Sequence, residues 1–407
     1  MTLLRRYRAT GADLPFGDPL RAHGVDMEGY FLRVTDRERG RAVIALIGIN
    51  RGPDGHWATL GLASDEVPPR AEAPRSEAPR SEAPRSVPPR SVPPRSEATG
   101  GTRPSGGSTS SSASPSSSMS SGAPTPSTPS GTSSSLRLAA APEGWADPDR
   151  LGARSGDLFE YRQDGVTVDM GEGARLHVEI TDPVAWPHRA VGGSSIFQSV
   201  PALNQYWHPW LLGGKARGWA ELDGRRWEFD GADVYGEKNW GAEGFPDSWW
   251  WGQAQGFSEP DTCVAFAGGQ IHSGPLRTEV TALVVRLPDG RVIRLGNPVV
   301  SPVRADVGDD VWALEGRGYG WKIRVTGRAP LGRAHVLPVP LPSEKRNSAG
   351  AIEHLSGELE VEVSRFGRHV WSDYSPQAAL EHGGLDRAEA ELRRRGVPVG
   401  ETGAAPE

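Results

Sequence analysis

Apolar residues recur at every second position over long stretches of this chain, and Asp-Gly pairs interrupt them, a combination that antiparallel β-hairpins accommodate. The pairs at Asp54-Gly55, Asp164-Gly165, Asp223-Gly224 and Asp289-Gly290 tolerate the positive φ of a tight turn. Around Asp223-Gly224 the arms are 218–222 and 225–229; around Asp289-Gly290 they are 281–287 and 291–295. In Tyr319–Thr326, the residues Tyr319, Trp321, Ile323 and Val325 fall on one face. In Glu358–Val363, Leu359, Val361 and Val363 face in while Glu358, Glu360 and Glu362 face out. Further strands are expected at 29–34, 42–50 and 57–62, pairing with strands such as 158–163, 166–170 and 176–180. A helical period appears only in Gly384–Arg395, with Leu385, Ala388 and Leu392 inward and Arg393-Arg394-Arg395 suiting its C-terminus. Gly400–Glu407 is expected to fray.

The pattern breaks near Glu66. Pro-Arg pairs recur every five residues from Pro69-Arg70 to Pro94-Arg95, and a Ser/Gly/Thr/Pro tract runs from Thr99 to Ser135. Such a segment offers too little apolar surface to offset the entropy of ordering, so disorder is expected over 66–135. A low-complexity insert is the plainer reading; docking of an SH3-like or acidic partner by the Pro-Arg pairs is the alternative. The cost of closing so long a loop rises only logarithmically, so it can sit inside one β-domain.

Several classes are excluded or weakened by composition. A net charge of −6 argues against nucleic-acid binding driven by overall charge. The longest apolar run, Ala42–Ile49, is eight residues with Gly48 counted, against about twenty for a membrane-spanning helix. One cysteine, Cys263, leaves no intramolecular disulfide and no multi-thiolate metal site; in its apolar strand it reads as a small buried hydrophobe. The first residues lack the apolar core of a secretory signal, so the cytoplasm is the simplest compartment. No Gly-x-Ser-x-Gly elbow, Walker loop or His-Glu-x-x-His run is present.

Eight of the 14 tryptophans lie between Trp207 and Trp251. The run Tyr206-Trp207, the segment Tyr235-Gly236-Glu237-Lys238-Asn239-Trp240-Gly241 and the segment Phe245-Pro246-x-x-Trp249-x-Trp251-x-Gln253 together resemble the tocopherol cyclase family. The ending Ala378-Ala379-Leu380-Glu381-x-Gly383-Gly384 is similar to that family's C-terminal signature, and Tyr30-Phe31-Leu32-Arg33 to an early strand of it. The insert does not look like a family feature. The resemblance implies an all-β fold of two lipocalin-like β-barrel or β-sandwich lobes around an apolar cavity, related to carotenoid hydratase-type proteins. On this reading 1–65 with 136–255 forms the first lobe, 256–375 the second, and 376–407 a helix and tail. The implied activity is acid-initiated ring closure of a prenylated hydroquinone to a chromanol, with no cofactor and no metal.

That chemistry needs a positioned acid in a water-poor cavity and aromatic faces for the cation that follows. Glu237 is the first candidate acid, since burial raises a carboxyl pKa. Tyr206, His208 and Tyr235 are alternative donors, Asn239 and Gln253 candidates for orienting the phenol, and Trp207, Trp240, Trp249 and Trp251 for lining the cation path. Lys238 is placed beside the substrate, although strand neighbours point to opposite faces, which disfavours a direct pair with Glu237. Each has a structural alternative: a hydrogen-bonded corner for Glu-Lys-Asn, core packing for the tryptophans, a backbone contact for His208. Trp249 and Trp251 share a side and Trp250 takes the other. The expected partner is a lipophilic small molecule, a prenylated quinol or isoprenoid, which leaves open peripheral contact with a membrane. A non-catalytic lipid carrier and an alkene hydratase are the rival readings on the same scaffold.

Overall fold

The computed structural model describes residues 25–52, 55–67, 133–187, 192–200, 203–242, 244–398 and 400–406; the Pro-Arg insert lies outside them. The described strands form two antiparallel sheets. The first contains β1 (Met27–Asp36), β2 (Arg41–Gly52), β3 (Gly55–Glu66), β4 (Ser133–Ala141), β5 (Trp145–Ala146) and β6 (Gly152–Ser155). It continues with β7 (Phe159–Arg162), β8 (Gly165–Asp169), β9 (Ala174–Ala185), β10 (Tyr206–Leu222) and β11 (Arg225–Gly241). Their order is β4-β3-β2-β1-β11-β10-β9-β8-β7-β6-β5. Leu60 and Ala141 near one end of this order share a core with Ala153 and Tyr161 near the other, so the sheet curls around a single apolar centre. The hairpin from β10 to β11 turns at Asp223 (φ 50°) and Gly224 (φ 76°), both left-handed, as a two-residue turn of matching twist requires.

The second sheet contains β12 (Trp249–Ala254), β13 (Cys263–Ser273), β14 (Leu276–Arg286), β15 (Val292–Leu295) and β16 (Val303–Val307). β17 (Val311–Gly318), β18 (Trp321–Arg328), β19 (His335–Leu341), β20 (Arg346–Arg365) and β21 (Arg368–Gly383) complete it. The order is β15-β14-β13-β12-β21-β20-β18-β17-β16, with β19 also on β20. It too curls on its own core, where Leu295 of β15 meets Leu314 of β17. A helix, α1 (Leu385–Arg394), lays Ala388 and Leu392 against Val336 and Ile352. No helix among the described residues is long and apolar enough to cross a membrane.

The two sheets pack through their outer faces, where Phe31, Trp207, Tyr235, Trp249 and Trp251 gather. This is why 42–50 reads as a continuous apolar run: β2 is covered on both sides, by its own core through Val43, Ala45 and Ile47 and by the second sheet through Ala42 and Ile44.

The structure departs from the sequence reading in several places. The N-terminal strands join the later ones through β11 and β4, not directly through 158–180. Trp249–Ala254, assigned above to the first lobe, hydrogen-bonds to β13 and β21 of the second sheet. Residues 376–383, assigned to the helix and tail, are the end of β21. Tyr319 is no inward residue: it has a φ of 54° in the turn that opens β18 and is exposed. Leu385, at the first turn of α1, is also exposed, and Glu391 takes the inward position by accepting from Arg394 and Arg395. The 400–406 tail is anchored, since Ala404 pairs with Val336 and Arg395 donates to the Ala405 carbonyl.

His335 and His354 are buried, and neither ring nitrogen of either has a hydrogen-bond partner among the described residues. Burial lowers both from 6.5 to about 3, so each folds neutral. The unfolded chain binds protons at these groups below pH 6.5 while the folded chain does not. Their contribution to stability is therefore complete above pH 6.5 and is lost as pH falls toward 3. Relative to His354→Gln, the parent is expected to lose about 2 kcal/mol between pH 7 and pH 5, read from urea midpoints. A difference that does not change with pH would refute this.

Candidate active site

Where the sheets meet lies a cleft of about 190 Å³. Phe31, Leu46, Trp207 and Glu237 line it from the first sheet, and Trp249, Trp251, Ala267, Ala282, Glu353 and Glu381 from the second. Strand register explains the grouping. On the first sheet Glu237, Phe31 and Leu46 are successive cross-strand partners over β11, β1 and β2. On the second, Glu353, Glu381, Trp251, Ala267 and Ala282 form one row over β20, β21, β12, β13 and β14. Directly paired residues point to the same side, so these rows face each other, with Trp251 edge-on to Phe31 at 5.2 Å. The two alanines leave the space that larger side chains would fill.

Glu237 is buried, and three donors converge on its Oε2: Tyr235 Oη at 2.6 Å, Trp207 Nε1 at 2.7 Å and Trp251 Nε1 at 2.8 Å. Two come from the first sheet and one from the second, so this arrangement exists only when the sheets are packed. All three of these bonds fall on the same oxygen and none of them on Oε1. Burial raises the carboxyl to about 7; the three donors oppose that shift, and Glu381 adds to it. The register of β10 on β11 slips between His208 and Leu211, placing an irregularity beside Glu237 that frees Trp207 to lean over it.

The other residues singled out from sequence divide between this face and elsewhere. Asn239 lines the cleft over Gly29, where a Cβ would lie 2.0 Å from its Oδ1, so the close approach needs glycine. Tyr206 lines the cleft, but its hydroxyl donates to the Val200 carbonyl and accepts from Leu203 N–H at 3.0 Å while its ring stacks on Trp240. Trp240 is fully buried in that stack, outside the lining. Trp249 lines the cleft and donates its indole N–H to Glu381 Oε1. Trp250 packs its ring into the second core from the opposite side of β12, donates to Thr281 Oγ1 at 3.2 Å and borders the cleft together with Thr281.

Lys238 points away from Glu237. Its Nζ lies 2.6 Å from Glu28 Oε2, both side chains 1% exposed, and sits over the Tyr30 ring at 5.0 Å. His208 accepts from Gly193 N–H at 3.1 Å and meets Trp186 edge-on; burial lowers it to about 3, so it is no cation at neutral pH. Gln253 continues the Trp249–Trp251 face but lies beyond the cleft, accepting from Arg33 Nη1 at 2.8 Å. Cys263 is buried, and burial pushes its thiol up to about 12.

The sequence reading missed Glu353 and left Glu381 without a role. The signal was present: each is a charged residue in the inward phase of its strand, between Ala351 and Leu355 and between Ala379 and Gly383. Burial, then the neighbouring Glu381 carboxyl, holds Glu353 well above the usual carboxyl range; burial also raises Glu381. Arg33 was missed too. It is fully buried opposite Tyr235, and its Nη2 donates to the carbonyls of Leu355 and Gln377, tying β1 to the second sheet.

Two curled antiparallel sheets, closed on each other over a tryptophan-walled cleft that three carboxyls line, define a two-lobed, all-β, lipocalin-like protein. The model of the family described as tocopherol cyclase-like matches residues 157–384, more than half of the chain. This protein belongs to that family. It is 46% identical over 71 residues to a probable chloroplastic tocopherol cyclase of Oryza sativa subsp. japonica, covering 17% of this chain and 15% of that one. It is 39% identical over 71 residues to the chloroplastic tocopherol cyclase of Zea mays, with the same coverage. The matches thus span about a seventh of the length of these relatives. A crystal structure of kievitone hydratase from Nectria haematococca superposes with a TM-score of 0.44 at 10% identity, covering 92% of this chain and 93% of that one.

Proposed function

We propose that this protein is an enzyme that protonates an alkene of a prenylated hydroquinone through Glu237 and closes the chain onto the ring oxygen as a chromanol. The observation that carries the reading is the convergence of three donors on Glu237 Oε2 inside an apolar cleft. Burial keeps a large share of the group protonated at neutral pH. Oε2 is occupied by donors, which leaves Oε1 to carry the proton. When that proton leaves, Tyr235, Trp207 and Trp251 already point at the oxygen where the charge settles, so the conjugate base is stabilised without reorganisation. The tertiary cation forms among Trp207, Trp251 and Phe31, whose ring faces attract positive charge. A carrier would use the same apolar walls but has no need of three donors on one buried carboxyl. Membership in the tocopherol cyclase-like family supports a cyclising isomerase. A cytoplasmic protein meeting its lipid at a membrane surface belongs to the same proposal.

The test is incubation with a prenylated hydroquinone in deuterated water. One deuterium on the carbon next to the new C–O bond is the expected result. A deuterated tertiary alcohol would replace ring closure with hydration, and bound but unchanged ligand would replace the enzyme with a carrier. Because Glu237 must be protonated and titrates at about 7, kcat/KM is expected to fall about tenfold per pH unit above that value. A profile flat from pH 6 to 9 would exclude Glu237 as the acid.

A further inference from the structure

Ring closure moves two protons: one onto the alkene carbon, one off the phenol as its oxygen forms the C–O bond. Glu237 accounts for the first. We propose that the cross-strand carboxyl pair Glu353–Glu381 binds the hydroxyl of the aromatic head and takes the second proton; this rests on the reading of Glu237 as the acid.

The two carboxyls are direct partners across β20 and β21, on the side that faces the cleft, and both line it. Like charges at such a position repel at close range, so one proton must lie between them at neutral pH. Glu381 is held from the other side by the Trp249 indole N–H. Glu353 is 2% exposed, and its Oε1 is buried without a hydrogen-bond partner among the described residues. An acceptor of that kind is costly unless something donates to it, and a phenol is a donor. Arg33, on the facing sheet, acts on Glu353 through its charge, but its Nη atoms are committed to Gln253, Leu355 and Gln377. Trp251 sits between the groups: it neighbours Glu381 on the sheet and donates to Glu237. A guest spanning from the pair to Glu237 therefore passes over its ring.

The step balances. Glu237 gives its proton to the alkene carbon and becomes a carboxylate. The ring oxygen forms the new C–O bond, its O–H bond breaks, and the proton joins the pair, which goes from one proton to two. Exchange with solvent after product release returns both groups to their starting states.

The experiment measures binding to the Glu237→Gln protein by tryptophan fluorescence, which does not depend on turnover. The probes are a prenylated hydroquinone and its di-O-methyl ether, which cannot donate. The quinol is expected to bind about tenfold or more tightly than the ether, the scale of a hydrogen bond to a charged group. That preference should vanish in Glu237→Gln carrying either Glu353→Met or Glu381→Met, changes of similar size that remove the acceptor. Equal binding of the two probes by Glu237→Gln overturns the proposal even if neither double variant folds, as does a preference kept in both double variants. In the parent background, Glu381→Gln in deuterated water should still deuterate the alkene but release open-chain alcohol or isomerised alkene in place of chromanol. Undiminished ring closure there overturns the assignment while leaving Glu237 as the acid; no deuterium uptake by the parent overturns the acid and leaves the binding result to decide the pair.

Discussion

Glu237→Gln should lower turnover by about 10²- to 10⁴-fold, the usual weight of a positioned proton donor, while ligand affinity stays within a few-fold. Glutamine keeps a carbonyl oxygen where Tyr235, Trp207 and Trp251 converge, so the hydrogen-bonded corner survives. What is lost is the transferable proton on the second oxygen. Single-turnover product formation and fluorescence titration separate the two effects. Relative to the parent, the variant's stability should rise as pH climbs from about 4.5 to about 7 and then stay level. Burial keeps the parent carboxyl protonated in the fold up to about 7, while the unfolded chain gives up that proton from about 4.5, so the parent loses stability between those values and the glutamine variant does not. Turnover within tenfold of the parent would remove Glu237 from the chemistry. Unfolding of the variant would show that the cluster is a structural corner.

The largest expected effect on stability belongs to Lys238→Met. Lys238 and Glu28 form an ion pair sealed from water, with Arg51 and the Tyr30 hydroxyl also on Glu28. Burial alone would raise Glu28, but Lys238 and Arg51 bring it below the usual carboxyl value. Removing the lysine leaves the buried carboxylate with Arg51 as its remaining cation, and breaking a buried pair in this way typically costs about 3–5 kcal/mol. In a protein of this size that corresponds to a fall in Tm on the order of 10 °C. Adding Glu28→Gln removes the stranded charge and should recover much of the loss. A single variant as stable as the parent would show that the pair contributes nothing. Activity at a temperature where Lys238→Met is folded should be near the parent's, because the side chain lies on the face of β11 away from the cleft.

Strand neighbours alternate, and that rule by itself separates Glu237 from Lys238, and Trp249 and Trp251 from Trp250. The same rule marks the Asp223-Gly224 hairpin and the inward phase of Leu359, Val361 and Val363. It failed at Tyr319, where the alternation runs into a turn that a left-handed residue closes; the helical period failed at Leu385, which the first turn of α1 leaves exposed. Alternation also divided the lobes a few residues late, because periodicity shows that Trp249–Ala254 is a strand but not which sheet supplies its partners.

From sequence alone came the hairpins, the dense tryptophan segment and Glu237 as a carboxyl among aromatics, since turn chemistry and period-two burial are local properties of consecutive residues. Which donors meet on Glu237, that Tyr206 and Trp240 stack on each other, and that Glu353 stands opposite Glu381 were decided by packing two sheets whose strands lie far apart in the chain. Hydrogen-bond partners and desolvation are properties of three-dimensional proximity, and no short-range pattern encodes them.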